Sequence, residues 1–137
     1  MPAIETALWL ALRARVETLV LSPALPVAWP NESFTKPSGG YLRVTWVPNM
    51  NRRVFLRGSD PHQRLSLLQI DVFAKKNENA AVAIEIAGKV AAHFPADLKM
   101  SAYGVTARVT KAPEVAQPID DATHVMVPVT ISIEAFA

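Results

Sequence analysis

Val125-Met126-Val127-Pro128-Val129-Thr130-Ile131-Ser132-Ile133 carries an aliphatic β-branched residue at every second position. A period of two marks a strand with one face on a core and the other turned away from it. Pro128 falls on the alternate face and has no N–H for a ladder, which predicts an edge strand or a bulge at that point. Working backwards, Val105–Val109 and Leu98–Ser101 are also β-rich, with a turn predicted at Tyr103-Gly104. Leu65–Phe73 and Tyr41–Val47 give two further strands, the second opened by Gly39-Gly40 and closed by Pro48. In that strand Leu42, Val44 and Trp46 share one face, and Tyr41, Arg43, Thr45 and Val47 share the other.

Two segments follow a helical period instead. Ile4, Leu8, Ala11, Leu12, Val16 and Leu19 recur at three- and four-residue steps, which predicts an amphipathic helix with Pro2 in its first turn and Ser22-Pro23 at its end. Ala80, Ala83, Ile84, Ala87, Val90, Ala91 and Phe94 form a second stripe, capped by Asn77 or Asn79 and stopped by Pro95. Glu85 and Lys89 are placed for an i,i+4 pair on its outer side. From Ala24 to Pro37, three prolines confine the chain to an edge segment and a turn. The resulting order is α-β-β-β-α-β-β-β, with no βα alternation. It predicts an α+β fold: one domain over 1–137, a mostly antiparallel β-sheet with two α-helices packed on one face.

Composition narrows the function. In 137 residues, 50% are hydrophobic and 19% charged, enough apolar surface for a core. The net charge of +2 does not by itself mark a nucleic-acid binder. Cysteine is absent, which excludes disulfides, thiolate metal sites and a cysteine nucleophile. No apolar run reaches the ~18–20 residues of a bilayer span, and the N-terminus lacks a signal-peptide pattern, so a soluble cytoplasmic protein without membrane contact is expected.

A search for chemistry returns little. There is no phosphate-binding glycine loop and no G-x-S-x-G elbow. His62, His93 and His124 have no metal-ligand spacing, and Asp60 with His62 makes two ligands on a loop, not a site. His93 reads as a helix-end residue whose partial positive charge complements the macrodipole. Asp120-Asp121 reads as a solvated turn or a contact for a basic partner. Trp9, Trp29 and Trp46 read as core or interface residues. The expectation is a non-enzyme with no cofactor and no metal.

Charge segregation is the strongest signal. Residues 49–62 form an arm between two strands, longer than an ordinary hairpin loop. From Arg43 to Arg64 there are five arginines and one acid, Asp60. From Ala112 to Ala137 there are four acids, Glu114, Asp120, Asp121 and Glu134, and no lysine or arginine. Val54, Phe55 and Leu56 lie between arginines of the arm, a composition common in interface anchors. Two complementary patches on one chain suit a head-to-tail contact that closes into a ring. Candidates for the subunit interface or a ring lumen are Arg52, Arg53, Phe55, Arg57, Glu114, Asp120 and Asp121.

The run Ala28-Trp29-Pro30-Asn31-Glu32-Ser33-Phe34-Thr35-Lys36-Pro37, followed by Tyr41-Leu42-Arg43-Val44, resembles the phage tail terminator-like family, including the minor tail protein U type. Leu67–Phe73, Ala91-Ala92-His93-Phe94-Pro95, Val105–Val109 and Val127–Ile131 extend the resemblance over nearly the whole chain. It departs at Lys75-Lys76-Asn77-Glu78-Asn79, where the family would lead one to expect a glycine-containing turn, and at the 49–62 arm. The resemblance implies an α+β sandwich acting as a six-subunit ring in the virion tail, assembled in the host cytoplasm. Such a ring caps the tail tube, ends its polymerisation and joins the head. The implied partners are other copies of the chain, the tail tube protein, a head-completion or connector protein, and DNA passing transiently through the lumen. The alternatives are a neck or head-completion adaptor of the same virion, and a nucleic-acid-binding module using the arginine arm.

Overall fold

The computed structural model describes residues 2–22 and 24–137. Helix α1 spans Ile4–Glu17 and buries Ala7, Leu8, Ala11, Leu12 and Val16. It begins one residue after the N-cap Ala3, so Pro2 precedes the first turn instead of lying in it. It also stops earlier than the apolar period predicts. The Thr18 hydroxyl donates to the Arg15 carbonyl at 2.6 Å, and the Leu19 N–H bonds Val16 at 3.0 Å, which tightens and ends the last turn. Leu19 still packs on the core from outside the helix. Ser22 is thus beyond the helix, and Pro23 lies outside the described residues.

Strand β1 (Val27–Ala28) pairs in parallel with Leu42 and Arg43 of β2 (Tyr41–Arg52). β2 pairs antiparallel with β3 (Gln63–Lys75) down to Arg52↔Gln63. Pro48 therefore does not close the strand. Pairing shifts register between Pro48 and Met50, and beyond Arg43 the outer side of β2 has no strand neighbour among the described residues, an edge setting that tolerates proline. The free part of the arm shrinks from 49–62 to 53–62.

Gly40 opens β2 for a steric reason: a Cβ there would lie 2.9 Å from the Phe73 carbonyl oxygen. Helix α2 (Ala80–Ala92) is capped by Asn79, whose side chain accepts the Ala81 N–H at 2.9 Å. Asn77 takes φ 67°, so an asparagine fills the left-handed position where a glycine was expected. The buried stripe of α2 is narrower than predicted: Ala83, Ala87 and Val90 are buried with Phe94 beyond them, whereas Ala80 and Ile84 are exposed. Glu85 and Lys89 do not meet as an ion pair.

β4 (Lys99–Ala102) and β5 (Val105–Val109) form a hairpin around Tyr103 (φ 50°) and Gly104 (φ 77°), the signs that a two-residue turn needs. β6 (Glu114–Val115), β7 (Ile119–Asp120) and β8 (His124–Phe136) complete the sheet, in the order β1-β2-β3-β8-β5-β4, with β6 and β7 also on β8. β8 is therefore central, not an edge, and its pairing with β3 runs unbroken from Gln63↔Phe136 to Lys75↔His124. The Pro128 carbonyl accepts the Ala116 N–H at 2.9 Å. Its ring nitrogen faces the same side, towards the gap between β6 and β7, where no ladder donor is required.

One face of this curled sheet carries Leu42, Val44, Leu68, Ile70, Val72, Val127, Val129, Ile131 and Ile133, and both helices bury their stripes against it. The architecture is the α+β arrangement expected. On the other face Tyr41 stacks on Phe73 with ring centroids 4.4 Å apart. There Asp71, 1% exposed, accepts from Arg43 Nη2 at 2.8 Å and from Gln69 Nε2 at 2.8 Å. Arg43→Ala leaves that carboxylate with one partner, and a loss of about 2 kcal/mol is expected in denaturant unfolding, below the 3–5 typical of fully buried pairs because Arg43 is half-exposed. A loss under 0.5 kcal/mol would show the pair to be idle.

The ends of α1 and α2 meet at His93. Arg15 donates to the His93 carbonyl through Nε and Nη2 at 3.1 and 2.7 Å, while His93 Nε2 lies 3.0 Å from the Arg15 carbonyl. Burial, opposed by that carbonyl and reinforced by the Arg15 charge, holds the imidazole pKa below its ordinary 6.5. The helix-end position does not favour a charged histidine here, because desolvation outweighs the macrodipole. The unfolded chain binds this proton more readily, so stability is full above pH 6.5 and falls as the solution is acidified through and below it. His93→Gln is expected to flatten that fall in unfolding curves between about pH 7 and 5, and an unchanged slope would assign it elsewhere.

Candidate subunit-contact surfaces

The sheet separates the arm from the Glu114–Asp121 segment along β8. The arm leaves β2 at Arg52 and returns at Gln63, which faces Phe136 at the end of β8. β7 pairs with Val125 and Met126 at the start of β8. At roughly 3.4 Å per residue, those two positions on β8 are about 37 Å apart. The residues Arg52, Arg53, Phe55 and Arg57 thus come together at one end. Asp120 and Asp121 lie at the other end, with Glu114 part-way along opposite Thr130. Glu134, the fourth acid, instead sits beside the base of the arm, where it accepts from Gln63 Nε2 at 2.7 Å.

Their charges are spent unequally. Of the five arginines, Arg43 pairs with Asp71, and Arg64 Nη1 pairs with Glu5 at 3.3 Å. Arg52, Arg53 and Arg57 have no carboxylate partner among the described residues. Arg53 turns back to donate to the Phe55 and Leu56 carbonyls, and Asp60 accepts the Arg57 backbone N–H at 3.1 Å. The tip is a folded turn that leaves Val54, Phe55 and Leu56 exposed, Leu56 at 94%.

The acidic segment is largely engaged within its own chain. Glu114 is held below the ordinary carboxylate range by the hydrogen bond and charge of Lys111. Asp121 is lowered first by the Ala122 backbone N–H and then by Lys36, 3.7 Å away. Glu134 is lowered by Arg108, at 2.8 Å, and by Gln63. Asp120 has no ion-pair partner among the described residues. The sequence count of four unopposed acids overlooks Lys36, Arg108 and Lys111, which the fold supplies from outside the counted window.

A third surface escaped the sequence reading. Trp9 of α1 stacks on Trp46 of β2 at 6.3 Å and meets Trp29 edge-on at 6.0 Å. Arg13 lies 4.2 Å over the Trp29 ring and also binds Glu32 and Glu17. These residues wall an open groove of about 710 Å³ between α1 and the unpaired side of β2. The three tryptophans were visible as core or interface candidates, but only the fold shows them converging without closing over one another.

Among the described residues no cluster of histidine, aspartate or glutamate could hold a metal ion, and no helix is long and apolar enough to cross a membrane. The family model described as "Phage tail terminator protein" matches residues 7–133. No curated protein gives a significant match. Three solved chains do match. One of these, which carries a sequence identifier and no functional description, superposes with a TM-score of 0.73 at 28% identity, covering 91% of this chain and 93% of its own.

Proposed function

The chain belongs to the phage tail terminator family, a family of structural virion proteins and not of enzymes, and from that premise we propose that it caps the tail tube as a ring. In this reading six copies close head to tail after synthesis in the host cytoplasm. They stop addition of tube protein and present the surface to which the head connector binds. The observation that carries the ring is the separation of two unlike surfaces, an unpaired arginine arm at one end of the sheet and the Glu114–Asp121 segment towards the other. Unlike faces at opposite ends suit a heterologous contact, and such contacts close when the rotation permits.

Arg52, Arg53 and Arg57 are the donor side of that contact, with Asp120 the carboxylate left free to receive them. Lining of the DNA lumen is the weaker role for the same arm. A DNA-facing loop has no use for three exposed apolar residues, whereas an interface anchor requires them. Lumen arginines would give weak, salt-sensitive and sequence-independent DNA affinity instead.

The test is arrest of polymerisation. Purified tube protein growing in vitro is expected to stop lengthening when this chain is added in substoichiometric amounts, one ring per tube end, with tube length read by electron microscopy. Tubes of unchanged length at saturating amounts of the chain would contradict the terminator role.

A further inference from the structure

We infer that the tryptophan groove between α1 and β2 is the socket for the arm tip of a second copy, with Phe55 and Leu56 as its plug. The inference rests on the ring reading and seats the arm on the outer side of β2 in place of Asp120, which lies across the sheet beside β8. The socket is incomplete in the single chain. The Trp46 Nε1–H beneath the groove is buried and has no hydrogen-bond partner within the chain's described residues. β1 occupies the outer side of β2 only at Leu42 and Arg43; Pro30 and Asn31, at φ 57°, then turn the chain away. This vacates the strip beside Thr45 and Trp46, which an incoming backbone carbonyl can fill.

The plug matches in volume and polarity. A groove of about 710 Å³ lies within the ~300–1,000 Å³ range that encloses a few large side chains. Val54, Phe55 and Leu56 are exposed at 43, 51 and 94%, a contiguous apolar tip on which Leu56 stands almost bare. Glu5 and Glu32 line the groove together with Arg13 and Arg43, so its charges balance, Glu5 being paired with Arg64 and Glu32 with Arg13. The tip cannot reach its own groove, because β2 carries it about 20 Å beyond Trp46 at ~3.3 Å per residue. A second copy satisfies both surfaces with one contact, and each copy keeps a free socket or plug for the next.

The natural absence of cysteine permits a direct test. Thr6→Cys on the groove wall and Phe55→Cys on the tip, mixed as two single variants and oxidised, are expected to give a cross-linked pair. Val82→Cys, on the exposed side of α2, serves as the collision control. Mass is measured in parallel by light scattering before oxidation. An assembly of ring mass with preferential cross-linking of Thr6→Cys to Phe55→Cys supports the socket. An assembly of ring mass with no such link, or with a link to Val82→Cys of equal yield, overturns the socket and leaves the ring standing. Monomer at all concentrations overturns both. As a second measurement, Leu56→Ser is expected to raise the concentration for half-assembly at least tenfold, and an unchanged value counts against the plug.

Discussion

Replacing Arg52 and Arg53 together by glutamate is expected to yield a folded monomer at concentrations where the unmodified chain assembles. Neither guanidinium pairs with a carboxylate of its own chain, so little native-state energy is lost; the thermal midpoint is expected to move by the equivalent of less than about 0.5 kcal/mol. The intersubunit term is much larger. Each subunit changes by four charge units, and like charges placed opposite one another at an interface cost several kcal/mol. A ring repeats that cost at every contact. Because the repulsion acts between partly exposed groups, salt is expected to recover some assembly as the screening length shortens towards ~3 Å at 1 M. Light scattering behind size exclusion, with circular dichroism to verify the fold, checks it. An intact ring from this variant would show that the arm is not a subunit contact.

Phe94→Ala is expected to be the most damaging single change to the fold, by about 4 kcal/mol. Phe94 is fully buried and follows the C-cap of α2, where its ring meets His93 edge-on at 5.5 Å. It lies where the ends of α1 and α2 join, beneath the hydrogen bonds between Arg15 and His93. Truncation leaves a cavity between elements that are held by helix ends and relax poorly. For a domain of this length the loss corresponds to a fall in melting temperature of roughly 12–16 °C. Calorimetry of the monomeric Arg52→Glu, Arg53→Glu background separates this effect from assembly. A fall under about 4 °C would mean that the site collapses around the smaller side chain.

Much of the fold could be read from local periodicity, because period two and period 3.6 are imposed by burial on one face. The alternation of Val125–Ile133 marked a strand and the run Leu65–Phe73 another, but their pairing at the centre of the sheet was not read from it. Reading failed where the decisive neighbour was remote in sequence. Pro128 predicted an edge because proline lacks a donor, yet the strand is central; the break between β6 and β7 that accommodates it cannot be seen from residue 128. Pro48 was read as a stop, but an unpartnered outer side and a bulge carry β2 past it. Ile84 fits the helical period of α2 but stays exposed, while Ile86, which the period leaves out, packs against the core.

The candidate surfaces were legible as composition, not as geometry. The arginines of the arm and its apolar tip stand out in the sequence because they are consecutive, and Arg52, Arg53 and Arg57 do remain free of carboxylate partners. The acidic segment was overcounted because Lys36 and Arg108 reach it through the fold. The groove was missed because Trp9, Trp29 and Trp46 come from three different elements, and no periodicity links a helix, a loop and a strand.

The most direct measurement of the account is the mass of the unmodified chain in solution, by light scattering behind size exclusion over a concentration series at moderate salt. A species of six subunits is expected, with a mass that does not grow further as concentration rises, because a closed ring has no free ends. A monomer at every concentration, or a mass that increases without limit, would contradict the claim that the arm and its receiving surfaces close a ring by themselves.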